Sequence, residues 1–225
     1  PDCVSSHAGR SRGAGIGTIA VDPRFWRLAP ISFTCIGGAW AIQGLWVGPW
    51  LKDVAGFTPH AASLVMMTMA VALCLSALLL GMAATSLSRR GVSRESILAG
   101  AALALVAAEI ALASGAPIAP VVPFACIAAF SAGTVLLYSI VPTYFPTELS
   151  ARANSLLNVF NIGGAFAIQA GFGAIVSLWP ADRGGHYPAG AYHSALAILV
   201  VAQVVAIAWL LRPAPRLGRE AEPAV

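Results

Sequence analysis

The groups in this chain with most capacity for chemistry are one carboxylate, Glu109, and a sparse set of amides, hydroxyls and indoles inside otherwise apolar stretches. Trp40 and Gln43 stand three residues apart. Ser131, Thr134 and Tyr138 follow offsets of three and four, which share one face of a helix. Asn158 and Asn161 continue a stripe begun at Asn154, and Gln169 extends it. Such groups suit reversible hydrogen bonding to a solute. No nucleophile–base pair and no metal cluster accompanies them, so no enzyme activity, metal or cofactor is expected. Glu109 has a further capacity. A carboxyl group in hydrocarbon is costly to charge, so it can act as a proton carrier. Each group also has a packing alternative: hydrogen bonds between helices for Trp40, Gln43, Asn158, Asn161 and Gln169, a bond to its own helix for Thr134, and a protonated, hydrogen-bonded role for Glu109.

The elements that hold these groups are six long apolar stretches in 225 residues. They run about 28–51, 61–84, 97–116, 121–141, 156–179 and 192–211. Each approaches the ~20 residues with which a helix crosses hydrocarbon. Hydrophobic residues make up 58% of the chain and charged residues 10%, against about 25% charged in soluble domains. The expected fold is an all-α membrane protein of six transmembrane helices, spanning 22–212, with tails at 1–21 and 213–225.

Basic residues cluster at alternate ends of the spans. With a cytoplasmic N-terminus, one side holds Arg10, Arg12, Arg24, Arg27, Arg89, Arg90, Arg94, Arg152, Arg212, Arg216 and Arg219, and the other only Lys52 and Arg183. The positive-inside rule then places both termini in the cytoplasm of a multi-pass cell-membrane protein. The net charge of +4 is spent at headgroups, so no nucleic-acid partner is expected. Lys52, Asp53, Asp182 and Arg183 read as solvated loop charges.

Asp22-Pro23 is a helix start. Gly37, Ala41, Gly44 and Gly48 form a small-residue stripe that admits a neighbouring helix. Residues 1–21, rich in Gly, Ser and Arg, read as a linker, and a chain opening on Pro1 reads as the second half of something larger. Cys3, Cys35, Cys74 and Cys126 form no CxxC pair and read as packing residues. Gly13-Ala-Gly15-Ile-Gly17 follows no strand, and His186 and His193 lack a metal-ligand pattern.

Two stretches carry a resemblance. Pro142-Thr-Tyr-Phe-Pro146-Thr-Glu148-Leu149-Ser-Ala-Arg152-Ala153 precedes Asn158-Val-Phe-Asn-Ile-Gly-Gly-Ala165. This resembles the C-terminal half of a major facilitator superfamily (MFS) transporter, which often shows a Pro-x-Glu-Leu-x-x-Arg-Ala run between helices ten and eleven. Gly81 with Arg89-Arg90 matches part of the family's Gly-x-x-x-Asp-Arg-x-Gly-Arg-Arg loop. Thr85, Ser86 and Ser88 replace its Asp, Arg and Gly, which weakens the gate that the Asp commonly serves.

The resemblance covers about 22–211 and implies several expectations. The six spans correspond to helices seven to twelve and form two inverted three-helix repeats. Spans one and four line a mid-membrane cavity, spans two and five flank it and meet the other half, and spans three and six lie outside. Trp40, Gln43, Thr134, Tyr138, Asn158, Asn161 and Gln169 become cavity candidates, and Gly81, Arg89, Arg90, Glu148 and Arg152 gate candidates. The implied function is secondary active transport of a small solute by alternating access, coupled to ions or protons, with Glu109 as the proton-coupling candidate. The implied partners are the solute, the bilayer, and an N-terminal six-helix half or a second copy. A non-transporting membrane scaffold or sensor on the same helices is the competing reading.

Overall fold

The structure is a computed structural model and describes residues 15–212. Expectations for 1–14 and 213–225, including Cys3, Gly13 and the outermost arginines, lie outside the described residues. Among the described residues every regular element is a helix. Six are long and apolar enough to cross a membrane: Pro23–Asp53, Pro59–Arg89, Arg94–Ala113, Val121–Tyr144, Thr147–Val176 and Ala189–Leu210. These are spans one to six of a multi-pass membrane protein. Most extend beyond the apolar stretches, because polar first and last turns keep their backbone bonds at the membrane surface.

Local signals set the helix ends. Asp22 accepts from the Arg24 amide at 2.8 Å, ahead of Pro23 in the first turn. Thr58 and Ser93 do the same for spans two and three, accepting from Ala61 and Ser96. Gly91 and Gly115 follow spans two and three at φ +85° and +64°, a left-handed conformation that favours glycine at helix exits. The expected linker is partly structured. Ile16–Ala20 forms a short helix, and Ile19 is fully buried.

Span one is not uniform. Two wide turns, Ser32–Ile36 and Ile42–Trp46, replace α-helical turns with π-helical ones. Each wide turn inserts about one residue and rotates the following face by about 100°. The small-residue stripe is therefore shared between two neighbours. Gly37 lies against the backbone of Asn161, Gly164 and Ala165, and Gly44 against the Gln169 amide, all in span five. Gly48, past the second wide turn, meets Met66 of span two instead.

Burial is uneven. The apolar windows of spans one and four are each 61% buried in the bundle, those of spans two and five only 17% and 28%. Span two leaves Met67, Leu75, Leu78 and Met82 exposed, and span five leaves Val159 and Phe166 exposed. Span six packs one side inward through Leu196, Leu199 and Gln203 and leaves Ile198, Val201 and Val205 exposed on the other.

The two ends of the bundle are tied differently. At the end carrying Arg94, the Arg27 guanidinium donates to the Leu210 carbonyl and the Trp209 indole to the Trp26 carbonyl. A cation at a helix C-terminus also meets the negative end of its dipole. Arg94 itself donates to the Ser139 carbonyl, and Tyr144 donates to Glu95 at 2.9 Å. At the opposite end, Asp53 is enclosed by hydrogen bonds rather than solvated as a loop charge: its side chain is 8% exposed. The sequence pattern hides this, because the partners lie more than 130 residues away.

Candidate functional site

An open groove of about 470 Å³ lies among spans one, two and four. Trp40, Gln43 and Gly44 line it from span one, Leu73 and Ala77 from span two, and Ser131, Ala132, Thr134 and Val135 from span four. Three of the seven cavity candidates thus converge.

Both helices that carry the polar lining depart from regular geometry beside it. Gln43 sits in the second wide turn of span one. Span four breaks into Val121–Ser131 and Thr134–Tyr144. At the break the Ala132 and Gly133 amides turn back to Ala129 and Phe130, three residues earlier, and Val135 bonds Ala132. A carbonyl left without its helical partner in a membrane must find another donor. Ser131 O receives the Trp40 indole N–H at 3.3 Å, and Ala129 O takes the Ser76 hydroxyl at 2.9 Å in addition to the Ala132 amide. The Ser131 hydroxyl in turn donates to Gln43 Oε1 at 3.2 Å. Span one and the broken point of span four are therefore cross-linked twice, by Trp40 and by Gln43. The groove presents the partly exposed Trp40 ring, the Gln43 amide nitrogen and the Thr134 hydroxyl, and its lining holds no ionisable side chain.

The other candidates have different surroundings. Tyr138, one turn beyond Thr134, donates its hydroxyl to Asn158 Oδ1 at 3.0 Å and joins spans four and five. The Gln169 amide nitrogen would stand 3.3 Å from a Cβ on Gly44, while its backbone carbonyl takes the Trp46 indole N–H at 3.3 Å. Asn161 is buried against span one, and its side-chain amide has no hydrogen-bond partner among the described residues. These four line no part of the groove. Ser131, Leu73 and Ala77 take their place. Ser131 was visible as a member of the span-four face, but span two offers no polar periodicity that marks a groove-lining side.

Glu109 lies on the far side of span one from the groove. It is fully buried. Gln203 of span six donates from one amide nitrogen to Glu109 Oε1 at 3.1 Å and to the Thr34 carbonyl, in the first wide turn, at 3.4 Å. Gly38 makes room for this amide: a Cβ there would stand 3.1 Å from Gln203 Nε2. Glu109 Oε2 and Gln203 Oε1 have no partner among the described residues. The arrangement joins spans one, three and six through one amide.

The gate candidates sit at the Arg94 end. Gly81 and Arg89 border an open depression with Met82, Thr85 and Ser86. Arg90 and Arg152 are exposed, and Glu148 is an acidic residue in the first turn of span five, where it suits the helix dipole. Among the described residues no group of three His, Cys, Asp or Glu side chains is placed to hold a metal ion. Comparison with protein-family models, curated proteins and solved structures gave no match.

Proposed function

We propose that the chain is one six-helix half of a membrane solute carrier, and that the groove of spans one, two and four is its share of the solute pathway. The observation that carries this reading is the pairing of the wide turn at Gln43 with the broken helix at Ala132–Gly133. Irregular backbone inside a membrane is tolerated where it is buried in protein or lines a water-filled cavity, and discontinuous helices commonly build transporter binding sites.

The weak burial of spans two and five supports the second part of the reading. These are the helices that the MFS-like arrangement assigns to the contact with another half. A six-helix partner, supplied as an N-terminal half or as a second copy, would cover them and close the groove. Alternating access is then the rocking of this half against its partner, with the arginine-rich end in the cytoplasm. Glu109 serves in this scheme as the group through which protons couple to span one, since Gln203 links it to the Thr34 turn. The inverted repeat, the coupling ion and the MFS relationship all belong to this proposal.

Solute flux tests it. The assembled protein in proteoliposomes should show gradient-driven uptake of a solute from a panel of sugars, amino acids and aromatic amides, and Gln43→Leu should raise KM at least about tenfold, the cost of one lost hydrogen bond to solute. No uptake across the panel would favour the scaffold or sensor reading.

A further inference from the structure

Asp53, the last residue of span one, gathers three donors from the segment that joins spans five and six and from the start of span six. His186 Nδ1 lies 2.7 Å from Asp53 Oδ1, and Asp53 Oδ2 receives the Tyr192 hydroxyl at 2.6 Å and the Tyr187 amide at 3.2 Å. The loop is shaped to present the imidazole. Asp182 Oδ1 accepts from the Gly184 and His186 amides at 2.8 and 2.9 Å, the Asp182 amide returns to the His186 carbonyl, and Gly185 takes φ +77°. The Asp53 carboxylate is 8% exposed while the imidazole is 37% exposed, so protons reach the ring from water.

The charge balance around His186 is simple. Asp53 faces it from span one and Asp182 from its own loop; Tyr192 of span six and Tyr187 share Asp53 with it. Lys52 and Arg183, the neighbouring cations in sequence, form no ion pair with either carboxylate among the described residues. The His186 amide, against the opposing effect of burial and with the Gly184 amide adding to it, holds the Asp182 carboxyl below the usual range. It stays charged near neutral pH. With a proton, the ring is a cation beside two anions. Without one, two carboxylates face each other across a neutral ring.

We propose that this cluster is a pH-sensitive latch. A protonated His186 closes the segment 182–187 onto the end of span one, and loss of the proton loosens it. The device acts on the part of span one that lies beyond the Gln43 wide turn, Val47–Asp53, and it does not depend on whether the groove carries a solute. Histidine is the side chain suited to such a device, because it can exist with or without a charge and binds a carboxylate in either form.

Hydrogen–deuterium exchange of the full chain in lipid nanodiscs tests the latch. Protection of 182–187 is read at about pH 6 and about pH 8, each normalised to a free peptide of the same sequence. Wild type should lose about fivefold in protection between the two, the scale of a partly exposed ion pair. His186→Asn keeps a donor near the Nδ1 position but cannot gain the charge, and its normalised protection should not change with pH. Tyr192→Phe should lower protection at both values and keep the fivefold ratio, which separates pinning from sensing. Equal pH dependence in wild type and His186→Asn, or none in wild type, would overturn the proposal.

Discussion

Gly164 of span five rests on the backbone of Phe33 in span one: a Cβ at Gly164 would meet the Phe33 carbonyl oxygen, carbonyl carbon and Cα. The contact is backbone against backbone, so no side chain can turn aside. It brings the backbones of spans one and five into contact and sets the position of the first wide turn, Ser32–Ile36, relative to Asn161 and Ala165.

Gly164→Ala should therefore destabilise the bundle by roughly 1–3 kcal/mol, the cost of overpacking where the neighbour cannot relax. Gly163→Ala is the matched control. Nothing stands within 4 Å of its Cβ position, and alanine in a helix is better than glycine by about 0.5–1 kcal/mol. Thermal unfolding in detergent should separate the two adjacent substitutions, one below wild type and one at or above it. Equal behaviour would remove the close crossing.

The Glu109–Gln203 pair gives a second expectation. Gln203→Leu leaves a buried carboxyl with no hydrogen-bond partner and should cost about 1–3 kcal/mol. Glu109→Gln keeps an acceptor for the Gln203 amide and should cost less than about 1 kcal/mol. The double change Glu109→Leu with Gln203→Leu removes both polar groups, and should recover much of the loss of the single Gln203→Leu variant. A double-mutant cycle by unfolding in detergent reads the coupling directly; strictly additive losses would mean that the two side chains do not act on each other.

Asp22 supplies the pH dependence outside the spans. Its carboxyl lies below the usual range, chiefly through the Arg24 side chain, which bonds it at 2.7 Å. A carboxyl depressed in the folded protein adds stability above its unfolded pKa, and that stability is lost as pH falls through the folded value. Asp22→Asn should thus destabilise the start of span one at neutral pH, by about 0.5–1 kcal/mol for a partly exposed cap and ion pair. The difference from wild type should shrink to nothing in strong acid. Unfolding curves at a series of pH values check the sign; a difference that grows in acid would contradict it.

Much of this architecture is legible in the amino-acid order, because hydrocarbon imposes it. Six apolar stretches of sufficient length, the Asp22-Pro23 cap and the small residues of span one all correspond to structural features. What periodicity misses is register. The wide turns at Ser32–Ile36 and Ile42–Trp46 shift the faces of span one, so Gly48 departs from the partner of Gly37 and Gly44. The break at Ala132–Gly133 carries no proline to announce it. Gly163 and Gly164 are indistinguishable as letters, yet only one bears the crossing.

The candidate site was legible in part for the same reason. Trp40, Gln43 and Thr134 meet across the groove, whereas Tyr138 and Asn158 satisfy each other and Asn161 turns into the bundle. A polar stripe shows that a helix face avoids lipid; it does not show whether the face meets water or another helix. Asp53 illustrates the converse. A charge beside a loop looks solvated until distant residues, here His186 and Tyr192, close over it.

The solute-pathway reading meets its most direct test in thiol labelling of the assembled, full-length protein in membranes. In a background without native cysteines, Gln43→Cys and Thr134→Cys should react with a membrane-impermeant thiol reagent, while Val201→Cys, on the exposed apolar face of span six, should resist it. Resistance at both groove positions, with reactivity no greater than at Val201, would show that the groove holds lipid or packed protein and carries no aqueous path.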